Sequence, residues 1–386
     1  MKILKLIFRN LLRHKLRTGL TVLGIAIAVL FFGVLRTVVD AWHAGVDASA
    51  NNRLITRHAV SFIFPLPYAY GAQIARVPGV SKVTFANWFQ GVYIDQNQFF
   101  ARLAVDAETF FDGYPEFVVD PAELDAFKKE RNSCIIGEKI ARDYNLKIGD
   151  VMPVEGDIYP GKYEFVVRAI YKPRDERTDA TQMLFHWQYL DERVRQEDPS
   201  RAGNVGWYIV TISDPGKAAA ISGAIDTLFA NSRAETKSET EAAFQQSFVS
   251  MSGAIITAMN FVSFVIIGVI LLVLANTMVM TARERIREYA ILKTLGFTAG
   301  HLVGLIAGES LLISFLGGAI GIALSFPMVE AIGAQLPSGW FPIFDLKGMT
   351  LVFAGLSALI VGILAAMFPV WRATSMKIID GLRRTG

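Results

Sequence analysis

The residues of this 386-residue sequence whose types and spacing most resemble a working site lie between Thr281 and Phe297, in TARERIREYAILKTLGF. Helical spacing stacks Arg283 with Arg287 and Glu284 with Glu288, while Ile286, Ala290, Ile291, Leu292 and Leu295 supply apolar positions. Gly296 stands where a left-handed cap would close the helix. Nothing in the stretch resembles a nucleophile with its base. Its chemistry is non-covalent: mixed charge on an amphipathic helix suits docking to a protein partner, with a plain solvated helix as the alternative.

Covalent chemistry finds no set of residues elsewhere. His43, His58 and His186 are scattered, neither H-E-x-x-H nor G-x-S-x-G occurs, and the acidic residues show no diagnostic pairing. No GxxxxGK[ST] phosphate loop is present. Cys134 is the single cysteine, which excludes an internal disulfide and a CxxC pair; beside Ile135 and Ile136 it reads as a small buried apolar residue rather than a reactive thiol. A formal net charge of +3 is too small to point to nucleic acid.

Two further patterns are physical rather than catalytic. Glu309 is the one charged residue of an otherwise uncharged run, where an unpaired carboxylate is costly; it is protonated or paired with an Arg of the charged stretch, and a structural role fits better than a proton path. Gly304 with Gly308 and Gly317 with Gly321 form two G-x-x-x-G spacings that permit close helix packing, within the subunit or between two subunits.

The elements that must position these residues are long and apolar. The sequence is 52% hydrophobic and 19% charged, with positive mean hydropathy, unlike an ordinary soluble domain. Crossing a bilayer takes about 20 residues of helix. Residues 18–39, the later part of 246–281, 302–326 and 349–371 meet that need. Lys2, Lys5, Arg9, Arg13, Lys15 and Arg17 precede the first span, Arg283, Arg285, Arg287 and Lys293 separate the second from the third, and Arg372, Lys377, Arg383 and Arg384 follow the fourth. The loop 327–348 carries only Lys347 as a basic residue. The positive-inside rule therefore places both termini and residues 282–301 in the cytoplasm, and about 40–245 outside. A cleaved signal peptide ending at Ala48-Ser49-Ala50 is the rival for the first span, which is too long for a signal core and stops about ten residues short of that site.

Ahead of that span, Ile3, Ile7 and Leu11 with Leu4, Phe8 and Leu12 share one helical face and Lys5, Arg9, Arg13 and Arg17 the other, as in a helix lying on the membrane surface. A simple basic flank is the alternative. In the outer segment, SKVTFANW, FFARLAVD, YEFVVRAIY and VGWYIVTI read as strands. EKIARDY, closed by Asn145, and GKAAAISGAIDTLFANS, after Asp214-Pro215, read as helices. Trp88, Phe89, Tyr93, Phe99 and Phe100 fit core packing better than a cargo surface. No charge stands between Glu241 and Arg283, so 238–282 reads as one helix that would reach about 67 Å from outer domain to inner surface. The expected fold is an α-helical integral membrane protein with four transmembrane helices and an α+β periplasmic domain inserted between helices 1 and 2. Its segments are an amphipathic helix (1–17), the first span (18–39), the domain with its stalk (40–245), stalk and second span (246–281), the coupling loop (282–301), third span (302–326), outer loop (327–348), fourth span (349–371) and tail (372–386).

RERIREYAILKTLGF with GESLLISFLGGAIGIALS, RNLLRHKLRTGLTVLGIAIAVLFF at 9–32 and IIGEKIARDYNLKIGDVMPV at 135–154 together resemble the FtsX-type permease family. These are membrane subunits of the MacB and lipoprotein-releasing LolC/LolE class of ABC transporters. The resemblance covers nearly the whole chain. It implies a permease of a bacterial inner membrane that works as a dimer with a second permease copy, among membrane lipids. A separate ABC ATPase that binds ATP and Mg would sit under the loop between spans two and three. Arg283, Glu284, Arg285, Arg287, Glu288 and Lys293 would then form or flank the coupling surface. The chain itself would bind no cofactor and no nucleic acid. It would relay ATP-driven motion to the periplasmic domain for export or extraction of a substrate, with an adaptor and outer-membrane channel as further possible partners. The alternatives are a regulator that activates a periplasmic cell-wall hydrolase, as in the cell-division relative, and a membrane-anchored sensor without a motor.

Overall fold

Among the described residues of the computed structural model, four helices are long and apolar enough to cross a membrane. Residue 7 and residues 11–95, 99–336, 341 and 343–376 are described. The helices named by number are α1 (Lys15–Ala48), α2 (Glu241–Met251), α3 (Gly253–Glu284), α4 (Ile286–Thr294), α5 (Ala299–Gln335) and α6 (Gly348–Ser375). Shorter helices are given by their residues. Two compact units result, one of Met1–Asp40, Gly253–Ala334 and Phe344–Gly386, the other of Ala41–Ser252 and Gln335–Ile343.

The first unit is the bundle of apolar helices. Ile25, Val29, Leu274, Met278, Ile306, Ile313, Ala358 and Val361 form its core, while Phe264, Leu272, Phe315 and Met367 are exposed. Apolar residues on every side are what lipid as solvent requires. Contact between helices relies on small residues. A Cβ on Gly317 would lie 2.6 Å from the Ile25 Cβ, and one on Gly321 2.6 Å from the Ala26 carbonyl oxygen, so these two glycines seat α5 against α1. Ser310 Oγ donates to the Gly362 carbonyl at 2.7 Å and joins α5 to α6. Helix α5 continues through Pro327 to Gln335 instead of ending at Phe326. The proline removes one ladder bond, and the rest of the helix persists around it.

Two expectations about the helices change. Ile7 and Leu11 are 5% and 6% exposed and belong to the bundle core, Ile7 standing over Gly308. Ile7 and Leu11 therefore pack on protein, not on a lipid surface. Lys2, Ile3, Leu4, Lys5, Phe8, Arg9, Lys377, Arg383 and Arg384 lie outside the described residues. The expected single rod over 238–282 is three elements: a strand to Thr240, then α2, then α3, parted by Ser252 at φ −91°, ψ 8°. Thr240 ends the strand by capping α2, its Oγ1 accepting from the Ala243 amide at 3.2 Å.

The second unit is an α+β domain. Its strands are β1 (Arg53–His58), β2 (Leu66–Pro67), β3 (Val80–Trp88), β4 (Gly91–Val92), β5 (Ala101–Val105), β6 (Phe117–Val118), β7 (Ser133–Gly137), β8 (Val151–Gly156), β9 (Gly161–Pro173), β10 (Gln182–His186), β11 (Asn204–Val205), β12 (Trp207–Ile212) and β13 (Thr236–Thr240). The main sheet runs β13-β1-β12-β3-β5-β10-β7-β9-β8-β4, with β6 on β9 and a separate β2-β11 pair. The pairs β5/β10 and β7/β9 are parallel; the rest are antiparallel. Each strand segment read from aromatic and β-branched content contains a strand of this sheet. Glu138–Asp143 and Ala218–Leu228 are helices, the first followed by Asn145 at φ +51° and the second entered through Asp214, whose side chain accepts from the Gly216 amide. Phe89, Tyr93, Phe100 and Cys134 are buried in one hydrophobic cluster, and Trp88 packs against another. Burial pushes the Cys134 thiol well above its usual range.

Candidate functional site

The charged stretch forms a bend. Helix α3 ends at Glu284, Arg285 leaves helical geometry at φ −102°, ψ 7°, and α4 follows. Gly296, at φ +90°, closes α4. The Phe297 amide donates to the Leu292 carbonyl and the Gly296 amide to Lys293, both at 3.1 Å, the bond pattern of a left-handed glycine cap.

Ala282, Arg285 and Tyr289 form the buried face of the bend, at 7%, 4% and 2% exposure. Arg285 reaches inward, its Nη1 donating to Glu309 Oε2 at 3.0 Å and its Nε standing 3.5 Å from Glu288 Oε2. Glu309 is 6% exposed, so the one carboxylate inside the third span has its counter-charge at the bend. Removing Arg285 strands Glu309 in a medium that solvates it poorly, and removing Glu309 leaves the buried guanidinium, among the described residues, only its longer ion pair to Glu288.

The remaining members divide into two groups. Glu284 accepts from Arg17 through both oxygens, at 3.1 and 2.8 Å. Glu288 is paired with Arg13. Lys293 Nζ donates to the Thr374 and Met376 carbonyls at 3.0 and 2.8 Å and so covers the open C-terminal end of α6. Arg283 and Arg287 are exposed and have no charged partner among the described residues. Ile291, Leu295 and Phe297 are 43%, 71% and 40% exposed, although helical spacing alone would count the first two among the inward positions. Arg13 and Arg17 were not part of the set read from the sequence. The signals for them were a basic run before the first span, which topology explained, and their shared helical face, which was read as facing a membrane surface.

Of the four spacing glycines, Gly308, Gly317 and Gly321 lie against neighbouring residues, whereas a Cβ on Gly304 would meet nothing within 4 Å.

The inserted domain has its own buried charge cluster. Arg53, 3% exposed, donates to Glu241 at 2.8 Å, Glu116 at 2.6 Å and the Gly113 carbonyl at 2.9 Å. Its guanidinium lies 4.1 Å from the Tyr114 ring centre. Burial alone would lower its pKa, but the Glu116 hydrogen bond and the Glu241 charge outweigh that and raise it. The cluster ties β1 to the first turn of α2. A cavity of about 220 Å³ is lined by Tyr68, Phe85, Asp106, Lys129, His186 and Trp187 among others. His186 bonds the Phe127 carbonyl at 2.7 Å, and burial lowers its pKa. His43 and His58 are half-buried and not grouped with it. No group of three or more His, Cys, Asp or Glu able to hold a metal occurs among the described residues.

Comparison with known proteins agrees with both halves of the chain. Residues 18–228 match the family model of the MacB-like periplasmic core domain, and residues 260–378 match that of the FtsX-like permease C-terminal region. An uncharacterised ABC transporter permease from Methanocaldococcus jannaschii is 22% identical over 97% of this chain and 96% of its own. The macrolide export ATP-binding/permease protein MacB of Escherichia coli is 31% identical over 28% of this chain; the match spans 16% of that protein's length. The crystal structure of the periplasmic region of MacB from Actinobacillus actinomycetemcomitans aligns with a TM-score of 0.37 at 11% identity, over 53% of this chain and 95% of that one.

Proposed function

The chain belongs to the family of ABC transporter permeases that join a MacB-like periplasmic core domain to an FtsX-like permease region, and on that premise we propose that it relays ATP-driven motion of a separate ATPase subunit to its inserted domain. That domain then exports or extracts a substrate on the outer side of a bacterial inner membrane. Both termini lie in the cytoplasm and a second permease copy completes the assembly. An adaptor and an outer-membrane channel are further partners on this reading.

The observation that carries the reading is the division of labour at the bend. Arg285, Glu284, Glu288 and Lys293 are engaged within the chain, which leaves Arg283 and Arg287 with Ile291, Leu295 and Phe297 as an exposed edge. Two cations flanking an apolar strip suit an ATPase surface that pairs acidic residues with an apolar groove. Docking there pushes on a bend whose central residue is anchored inside α5, so the push does not dissipate in a loose loop.

Affinity capture of the chain from its native membranes tests this. An ABC ATPase is expected in the wild-type complex, and Arg283→Glu with Arg287→Glu is expected to weaken its retention by about tenfold or more, as reversal of two interface charges does. Undiminished retention in the double variant would overturn the docking edge.

A further inference from the structure

The charges of the bend form a ladder of alternating sign across three elements. Arg13 meets Glu288, Glu288 stands 3.5 Å from Arg285, and Arg285 donates to Glu309 on α5 at 3.0 Å. Beside this run, Arg17 grips Glu284 with two hydrogen bonds, and His14 Nε2 lies 3.9 Å from the same carboxylate. Arg13 belongs to the 3-10 turn Leu12–His14, and Arg17 to the first turn of α1. Ile7 and Leu11, earlier on the same segment, are buried in the bundle core, and Thr21 Oγ1 lies 3.4 Å from Thr277 Oγ1 one turn further into the bundle.

A carboxylate held by a two-pronged arginine has little charge left to offer outward. The two acids of the bend are neutralised by the chain's own arginines, and the exposed edge is left positive. The side chain of Arg17 is 22% exposed and that of Glu284 40%, so this pair is screened less than a fully solvated one.

We propose that Arg13 and Arg17 are positioning residues: they fasten Glu288 and Glu284 to the start of α1, so that a partner docked on the Arg283–Arg287 edge moves α1 together with α3 and α4. Glu284 and Glu288 are then internal fasteners, not docking residues. This inference rests on the proposed function, because it takes the partner to be an ATPase.

A charge swap tests it in the complex captured from native membranes, comparing wild type, Arg17→Glu, Glu284→Arg and the double variant. ATP hydrolysis by the captured complex is expected to fall about fivefold in each single variant, the most that a partly exposed pair sustains, with the ATPase still retained. The double variant, which restores opposite charges, is expected to recover it. Loss of the ATPase from Glu284→Arg without recovery in the swap would make Glu284 a docking residue and overturn the inference. So would wild-type hydrolysis in either single variant, or a swap no better than the singles. Should a reversed variant fail to accumulate, Arg17→Gln and Glu284→Gln replace it: reduced hydrolysis in both supports the inference, and wild-type hydrolysis in either overturns it. A wild-type capture without any ATPase overturns the proposed function first, and this inference with it.

Discussion

Arg285 sits in the most charged stretch of the chain, yet its side chain is buried and its charge is spent on Glu309, 24 positions away. A lone carboxylate in an apolar helix is unfavourable, and so is a buried guanidinium whose other ion pair is a 3.5 Å approach to Glu288; together Arg285 and Glu309 satisfy one another. Glu309→Ala or Arg285→Ala is therefore expected to destabilise the purified protein by about 3–5 kcal/mol. The double variant Arg285→Met with Glu309→Leu should return to within about 1 kcal/mol of wild type, since an apolar pair of similar volume strands no charge. Thermal unfolding in detergent measures both, and single variants as stable as wild type would dismiss the pair as a structural anchor. The sequence made Glu309 conspicuous and offered an Arg of the charged stretch as its partner. It did not say which. The helical face shared by Ala282, Arg285 and Tyr289 was the available signal, and it was hidden because stacking Arg283 with Arg287 and Glu284 with Glu288 draws attention to the exposed faces.

Among the elements, α5 shows how the same residue type at the same spacing does different work. Gly317 and Gly321 admit α1 to within van der Waals contact, whereas Gly304 faces open space. Gly317→Val places branched carbon where Ile25 already stands and is expected to cost about 1–3 kcal/mol by overpacking. Gly304→Ala meets nothing and is expected to be neutral, or to stabilise by about 0.5–1 kcal/mol through helix propensity. Detergent melting of the two variants side by side checks the contrast, and equal effects would remove it. The outgoing connection carries a similar lesson. An uncharged run from residue 242 to 282 permits a continuous helix, but β13 pairs with β1 up to Thr240 and the chain leaves helical geometry again at Ser252. Sheet pairing with a strand almost two hundred positions earlier holds residues 238–240 out of the helix.

At the scale of the whole molecule, the chain contains apolar helices, an α+β domain and a charged bend between α3 and α4, but no phosphate loop. The purified chain alone is expected to show no ATP turnover above background, and turnover is expected to appear when the captured ATPase is present. Hydrolysis by the chain alone, abolished by no ATPase inhibitor that acts on a contaminant, would contradict the division between motor and transmitter. A membrane solvent also changes how the bundle is held together. Lipid gives little reason for apolar helices to prefer one another, so close packing at Gly317, Gly321 and Gly362 and the few polar contacts have to specify the arrangement.

The sequence alone determined where the apolar helices lie, four of the strands of the inserted domain (β3, β5, β9 and β12) and that Gly296 ends a helix. These features depend on solvation of windows about 20 residues long, on side-chain periodicity and on the backbone freedom of one residue. Tertiary structure decided which charges of the bend turn inward, that Arg13 and Arg17 hold Glu288 and Glu284, and that Ile7 rests on protein. Local periodicity assigns a residue to a face, but a charge becomes an anchor only when its counter-charge, here up to 275 positions away, is brought to it by the packing of other helices.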